Sequence, residues 1–375
     1  YLLLRGSDKY TLQQVADKSI EAGGAATATS ADNGMTINIQ ARKDKFEDFF
    51  KFVVEVMKHP SFEQTQFDLI KSQSLASLDR PYTEPETVAA LNLARLIEIY
   101  QPGDLRYHFE PEFAKKQLNQ ATQAQVKQLY NQFFAMNHAQ IAITGDFDAK
   151  KMQQFIAQSF GSWSSSQPYQ KILSTDTDYP AQKVHALSEQ REFGNYQSIL
   201  TFPVGVDHLD APALIVFTNI LGQSQLSSRL GQELREKNAL VYGFGSDLQL
   251  DSDTNVGALT IEANYTAGRS EQVSQTVHHV LQKLLQNGVT EQELESAKAD
   301  ILKKRVTTLE DERSIHRMLN SQLERGKNML DRGQRDRDIA KLSKADIDAV
   351  IKKYIKLDHF VEVMADQYGQ TVKKP

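Results

Sequence analysis

An arginine and a tyrosine seven residues apart, Arg235 and Tyr242, are the side chains of this sequence best suited to act together on a polar ligand. Arginine stays charged at any physiological pH and offers a planar fork of donors that suits carbonyl oxygens. Tyrosine adds a neutral O–H donor that can converge with it on the same polar ligand. The two lie near the ends of the run Ser227-Ser228-Arg229-Leu230-Gly231-Gln232-Glu233-Leu234-Arg235-Glu236-Lys237-Asn238-Ala239-Leu240-Val241-Tyr242-Gly243. Its apolar spacing predicts an amphipathic helix that stops at Asn238 and hands over to a strand. Taken alone, Arg235 would be a solvated cation complementing the helix dipole, and Tyr242 a packing residue on a strand. Ser227, Ser228 and Arg229 are expected to cap and solvate the helix start.

Other chemistries lack their residues. A helical zinc site needs two histidines on one helix face with a glutamate beside them. None of the nine histidines stands in an H-x-x-E-H or H-E-x-x-H pattern. The adjacent pair His278-His279 points in divergent directions on a helix, so one is expected to pack and the other to be solvated. Glu312 and His316 read as an i,i+4 surface pair. There is no G-x-S-x-G elbow and no glycine-rich phosphate loop; Gly243-Phe244-Gly245-Ser246 reads as a strand with small residues. The absence of cysteine removes disulfides, thiolate nucleophiles and cysteine-held metals. Local motifs alone describe a non-catalytic chain.

At 375 residues the chain is long enough for two or three domains, with ordinary hydrophobic (40%) and charged (24%) content. A net charge of −5 argues against nucleic acid or an anionic membrane as a partner. No apolar run approaches the ~20 residues that span a bilayer. Residues 118–130 match residues 342–354, with helix starts at Thr122 and Asp346. Each match is followed by a polar pair (Asn137-His138, Asp358-His359) and a short alternating segment, 140–144 or 360–364, that reads as a strand. Further helices are expected over 12–21, 46–58, 271–286 and 290–305, with a hairpin of 25–30 and 35–41 around Asp32-Asn33-Gly34. Strands are expected over 241–250 and 256–265. A Ser/Thr/Pro-rich stretch, 164–181, reads as a linker. The expected fold is α+β: two homologous domains, 1–163 and 182–375, each a mostly antiparallel sheet covered by helices.

The Ser227–Tyr242 run resembles the C-terminal half of zinc peptidases of the insulinase (pitrilysin) family, whose text here is S-S-R-L-x-Q-x-[LI]-R-E-K-x-x-L-x-Y. The resemblance extends over nearly the whole chain. Active members carry H-x-x-E-H in their first domain, and Tyr1-Leu2-Leu3-Leu4-Arg5-Gly6-Ser7 is similar to the segment after that motif, with Tyr1 near the second histidine. Their third zinc ligand is a downstream glutamate, yet the matching stretch Phe67-Asp68-Leu69-Ile70-Lys71-Ser72-Gln73-Ser74-Leu75-Ala76-Ser77 has none. The resemblance therefore implies two zinc-less domains, the first N-terminally truncated, with zinc in a separate catalytic half. It also implies that Arg235 and Tyr242 bind peptide substrate across the chamber, without catalytic or metal residues in this chain. The chain alone is expected to be inactive, as part of a zinc metalloendopeptidase acting on peptides or unfolded polypeptide. Its partner would be an N-terminal catalytic half or a separate zinc-bearing subunit. The alternatives are a stand-alone pseudo-peptidase subunit, or a structural scaffold like the core proteins of respiratory complex III. A soluble protein of the bacterial periplasm or cell envelope is expected.

Overall fold

The computed structural model describes residues 2–31, 34–79, 82–107, 110–173, 175, 178–189 and 192–371. Tyr1 and the Asp32-Asn33 tip of the expected hairpin lie outside the described residues. In chain order the elements are α1 (Leu12–Glu21), β1 (Ala25–Ala31), β2 (Gly34–Gln40), α2 (Phe46–Lys58), α3 (Gln64–Leu78), α4 (Pro85–Leu96), α5 (Pro111–Gln120), α6 (Gln123–Phe133) and α7 (Ala149–Phe160). There follow β3 (Gln182–Leu187), β4 (Phe193–Phe202), α8 (Ala211–Thr218), β5 (Val241–Leu250), β6 (Gly257–Thr266), α9 (Ser270–Asn287), α10 (Glu291–Thr307), α11 (Glu312–Glu324), α12 (Met329–Lys341), α13 (Lys344–Tyr354) and β7 (Val361–Asp366). The fold is α+β, in two compact units. One comprises Tyr1–Arg80 with Phe109–Ile172; the other comprises Pro81–His108 with Leu173–Pro375.

In the first unit, α1 starts at a capping box, with Thr11 accepting from the Gln14 N–H while Gln14 reaches back to the Thr11 N–H. β1 and β2 pair antiparallel from Ala25↔Gln40 to Ala31↔Gly34. The apolar stripe of α2 supplies Phe49, Val53 and Met57, which pack with Leu3 and Phe62. Val126, Tyr130 and Phe134 close over that cluster, and the Tyr130 hydroxyl donates to the Met57 carbonyl at 2.5 Å.

The strand expected over 140–144 is not formed. Alternation selects a face, but a strand also needs a neighbour for its N–H and C=O groups. Among the described residues none pairs with this stretch. Ile143 instead packs against the cluster of Phe50, Val54 and Met152.

In the second unit, five strands run in the order β3-β7-β4-β6-β5, with β3–β7 parallel and the other pairs antiparallel. Alternation sorts the faces. Leu259, Ile261, Ala263 and Tyr265 of β6 point into the main core, which α8, α9, α10, α12 and α13 complete. The opposite face is covered over β3, β7 and β4 by α4, whose Val88 and Ala89 pack on Ala186, Val363 and Ala365.

α13 starts at Ser343 rather than Asp346, because Ser343 is the cap and Asp346 closes its capping box. The same device at Thr122 and Gln125 starts α6. Matching the two boxes slides the repeat by three residues and sets Val126, Tyr130 and Phe134 on Ile347, Ile351 and Ile355, all of which pack in their unit's core.

β7 buries two carboxylates. Glu362 accepts from the Ser274 and Tyr196 hydroxyls at 2.8 and 2.9 Å and meets His278 Nε2 at 2.7 Å. Burial alone would raise its pKa, but His278, with Ser274 and Tyr196, outweighs burial and holds the carboxyl below its ordinary 4.5. A depressed carboxyl contributes stability that is present above its unfolded pKa and lost as pH falls through the folded value. Thermal melts from pH 7 down to pH 3 are expected to show wild type losing stability below about pH 4.5 more steeply than Glu362→Gln. Parallel curves for the two proteins would show that Glu362 is not the linked group.

Candidate functional site

The site is built at the junction of a helix and an edge strand. After a short 3₁₀ turn, Gln225–Ser227, extended Ser228 caps the helical run: its Oγ accepts from Gly231 N at 3.1 Å and its carbonyl from Gln232 N at 3.0 Å. The expected amphipathic helix forms, but Gly231–Lys237 is wound as a π-helix, a widened geometry that recurs at functional sites. Leu230 and Leu234 are fully buried. Gly231 is required by close approach, since a Cβ there would stand 2.4 Å from the Gln225 carbonyl oxygen and 3.0 Å from the Phe244 ring. The helix ends at Asn238, whose Nδ2 donates back to the Glu233 carbonyl at 2.7 Å. Ala239 then takes φ +48°, and Ala239 N and Leu240 N donate to the carbonyls of Arg235 and Leu234.

The buried leucines fix the helix, and Arg235, next along from Leu234, is left exposed. Tyr242 sits in a β-bulge: the β5–β6 register steps from Val241↔Tyr265 to Gly243↔Asn264. A bulge re-aims a side chain. Here it puts Tyr242 on the sheet face opposite the main core, 47% exposed, its ring edge-on to Phe193 at 5.3 Å. Among the described residues neither the Arg235 guanidinium nor the Tyr242 hydroxyl has a hydrogen-bond or ion-pair partner.

Their neighbours are committed elsewhere. Arg229, expected to be solvated, instead grips both oxygens of Glu293 with Nε and Nη2, pinning the helix start to α10. A groove of about 420 Å³ lies between the π-helical segment and α9, but its Glu233 is already paired with Lys237 and Lys283. Asn195 and Tyr196 are fully buried because β4 is a central strand. His278 packs onto Glu362 while His279 is exposed. Glu312 and His316 share a helix without pairing among the described residues. Among the described residues no group of three His, Cys, Asp or Glu is placed to hold a metal ion. None of the helices formed by the described residues is long and apolar enough to cross a membrane.

Residues 120–301 match the family description "Peptidase M16 inactive domain". This segment, just under half of the chain, is similar to the inactive domain of M16 peptidases. Among curated relatives, the zinc protease YmxG of Bacillus subtilis is 27% identical over 190 residues, 50% of this chain and 44% of that protein. A zinc protease of Mycobacterium leprae is 38% identical over 116 residues, 31% of this chain and 25% of that one. The matched stretch thus spans less than half the length of these relatives. Solved structures share the fold: an M16 inactive domain from Pseudomonas fluorescens aligns with a TM-score of 0.84 at 21% identity, over all of this chain and 88% of that one. The periplasmic protease PqqL from Escherichia coli aligns at 0.77 and 15% identity, over 97% of this chain and 39% of that one.

Sequence reading missed the π-helical winding and the bulge that aims Tyr242. The signal for the second was Gly243-Phe244-Gly245 directly after it, since glycines in a strand mark bulges and open surface. Because the Arg235 guanidinium and the Tyr242 hydroxyl lack partners among the described residues, Arg235→Ala and Tyr242→Phe are each expected to change unfolding free energy by less than about 0.5 kcal/mol. Gly231→Ala should cost roughly 1–3 kcal/mol by overpacking. Urea titrations of the three variants check both; a large loss in Tyr242→Phe would reveal a structural role for its hydroxyl.

Proposed function

We propose that this chain is the non-catalytic half of a zinc metalloendopeptidase, closing over peptide substrate beside a catalytic half that carries H-x-x-E-H and the zinc. The supporting observation is the display of Arg235 and Tyr242: two donors, free of partners among the described residues, held at one helix–strand turn by buried leucines and a bulge. A solvated helix-end arginine and a packing tyrosine would need neither the π-helical winding nor the bulge.

The roles follow from the donors. Arg235 would fork onto carbonyl oxygens of an extended substrate, fixing its register. Tyr242, neutral and re-aimed outward, would donate its O–H to the scissile carbonyl oxygen as negative charge grows there. Neither step needs a metal ligand from this chain. A separate zinc-bearing subunit would use the same two donors as a catalytic half of the same polypeptide. By likeness to periplasmic PqqL, the bacterial periplasm or cell envelope is the proposed compartment.

The test mixes this chain with the zinc-bearing half and follows a quenched peptide. Each part alone is expected to be silent and the mixture active. Tyr242→Phe should lower kcat roughly 10²–10³-fold with zinc content unchanged. Arg235→Ala should act on KM, raising it about tenfold. Wild-type rates in both variants would leave the chain a scaffold, and stoichiometric zinc with hydrolysis by the chain alone would show that it holds its own site.

A further inference from the structure

The sheet face that carries Tyr242 is only partly covered. α4 roofs β3, β7 and β4, and beyond its first turn the outer side of β6 and β5 forms an open trough of about 320 Å³. The register fixes what lines it. Gly243, Gly245 and Asp247 of β5 stand opposite Asn264, Glu262 and Thr260 of β6, all pointing away from the main core. At Gly245 an added Cβ would meet nothing within 4 Å, so the missing side chains are what make the depression. Tyr242 precedes this floor on the same face, and Glu86, in the first turn of α4, forms the far wall.

The charge in the trough is one-sided. Glu86, Asp247 and Glu262 all line it, and among the described residues none of them meets a lysine, arginine or histidine. Their existing contacts are with neutral groups. Glu262 accepts from the buried Asn195 Nδ2 at 2.9 Å, which holds the carboxylate in place, and Asp247 lies 3.5 Å from Gln223 Nε2. Most carboxylates packed elsewhere in this unit are paired: Glu293 with Arg229, Glu362 with His278, Asp210 with Lys353. Three uncompensated carboxylates around a narrow trough attract a cation on a long, slim stem.

We infer that this trough is a side-chain subsite that selects lysine or arginine in an extended polypeptide passing Tyr242. The inference rests on the substrate-facing reading of Arg235 and Tyr242 and adds to it a specificity. The peptide backbone would be met by Arg235 and Tyr242, while a basic side chain reaches over Gly243 and Gly245 to Glu262, Glu86 and Asp247. Glycine at both floor positions keeps the depth such a side chain needs.

The probe is a short fluorescein-labelled peptide with one central arginine, compared with the same peptide carrying neutral citrulline there, by anisotropy against the full chain. Roughly five- to tenfold tighter binding of the arginine peptide is expected at low salt, shrinking as salt rises. The double variant Glu86→Gln with Glu262→Gln should abolish that preference while leaving citrulline-peptide affinity unchanged. Gly245→Val, which fills the trough, should weaken the arginine peptide at least fivefold in a protein whose melting curve is unaltered. Equal affinity of wild type for both peptides, or a preference that survives in the double variant, overturns the subsite. If binding depends on Arg235 and Tyr242 yet ignores the arginine, only this inference falls. If no peptide binds, the substrate-facing reading falls with it.

Discussion

Strand β7 is buried at all six of its residues, and two of these, Glu362 and Asp366, are acidic. A buried carboxylate is tolerable only when its oxygens are satisfied, so each must recruit partners from the elements around it. Glu362 gathers Tyr196 from β4 with Ser274 and His278 from α9. Asp366 gathers His185 from β3 and Tyr265 from β6 through its side-chain oxygens, and accepts from the N–H groups of Gly268 and Tyr368. Apolar packing would accept several sheet registers at similar cost, but these bonds accept one, since a slip of one residue turns both acids to the wrong face. β5 lies at the sheet edge, held in its place through β6, and the bulge at Tyr242 inherits its position from that ordering.

Arg235 and Tyr242 are displayed by what is hidden beside them. Leu230, Leu234, Leu240 and Val241 all enter the core, so the turn is anchored on both sides of residues 238–239. Ala239 at positive φ and the π-helical winding are locally unfavourable, and such features persist where surrounding packing over-determines them. The local cost is offset by the buried leucines, and among the described residues the two donors beside them are left without partners.

Much of this was legible in the sequence, and for identifiable reasons. α1, α2, β5 and the helix ending at Asn238 follow local rules, apolar spacing above all. Arg235 and Tyr242 were singled out by a motif, and the run that holds them forms the expected helix and strand. Segment 140–144 failed because pairing is not a local property. The fate of Arg229 was equally hidden, since Glu293 lies far along the chain. The bulge was written only as two glycines, whose meaning depends on the strand opposite.

α4 belongs by chain position to residues before 100, yet its cover is given to strands of the second unit. This interleaving has a consequence for synthesis. On a ribosome moving at ~5–20 residues per second, α4 is complete at Leu96 while its ladder of partners closes only when β7 emerges at Val361–Asp366. For a period on the order of ten seconds or more, its Val88-Ala89 face lacks the part of its native surface that Val363 and Ala365 supply. The nascent chain therefore cannot finish one unit before beginning the next, and the Pro85 start that pre-forms the first turn keeps a helix waiting for a sheet not yet made.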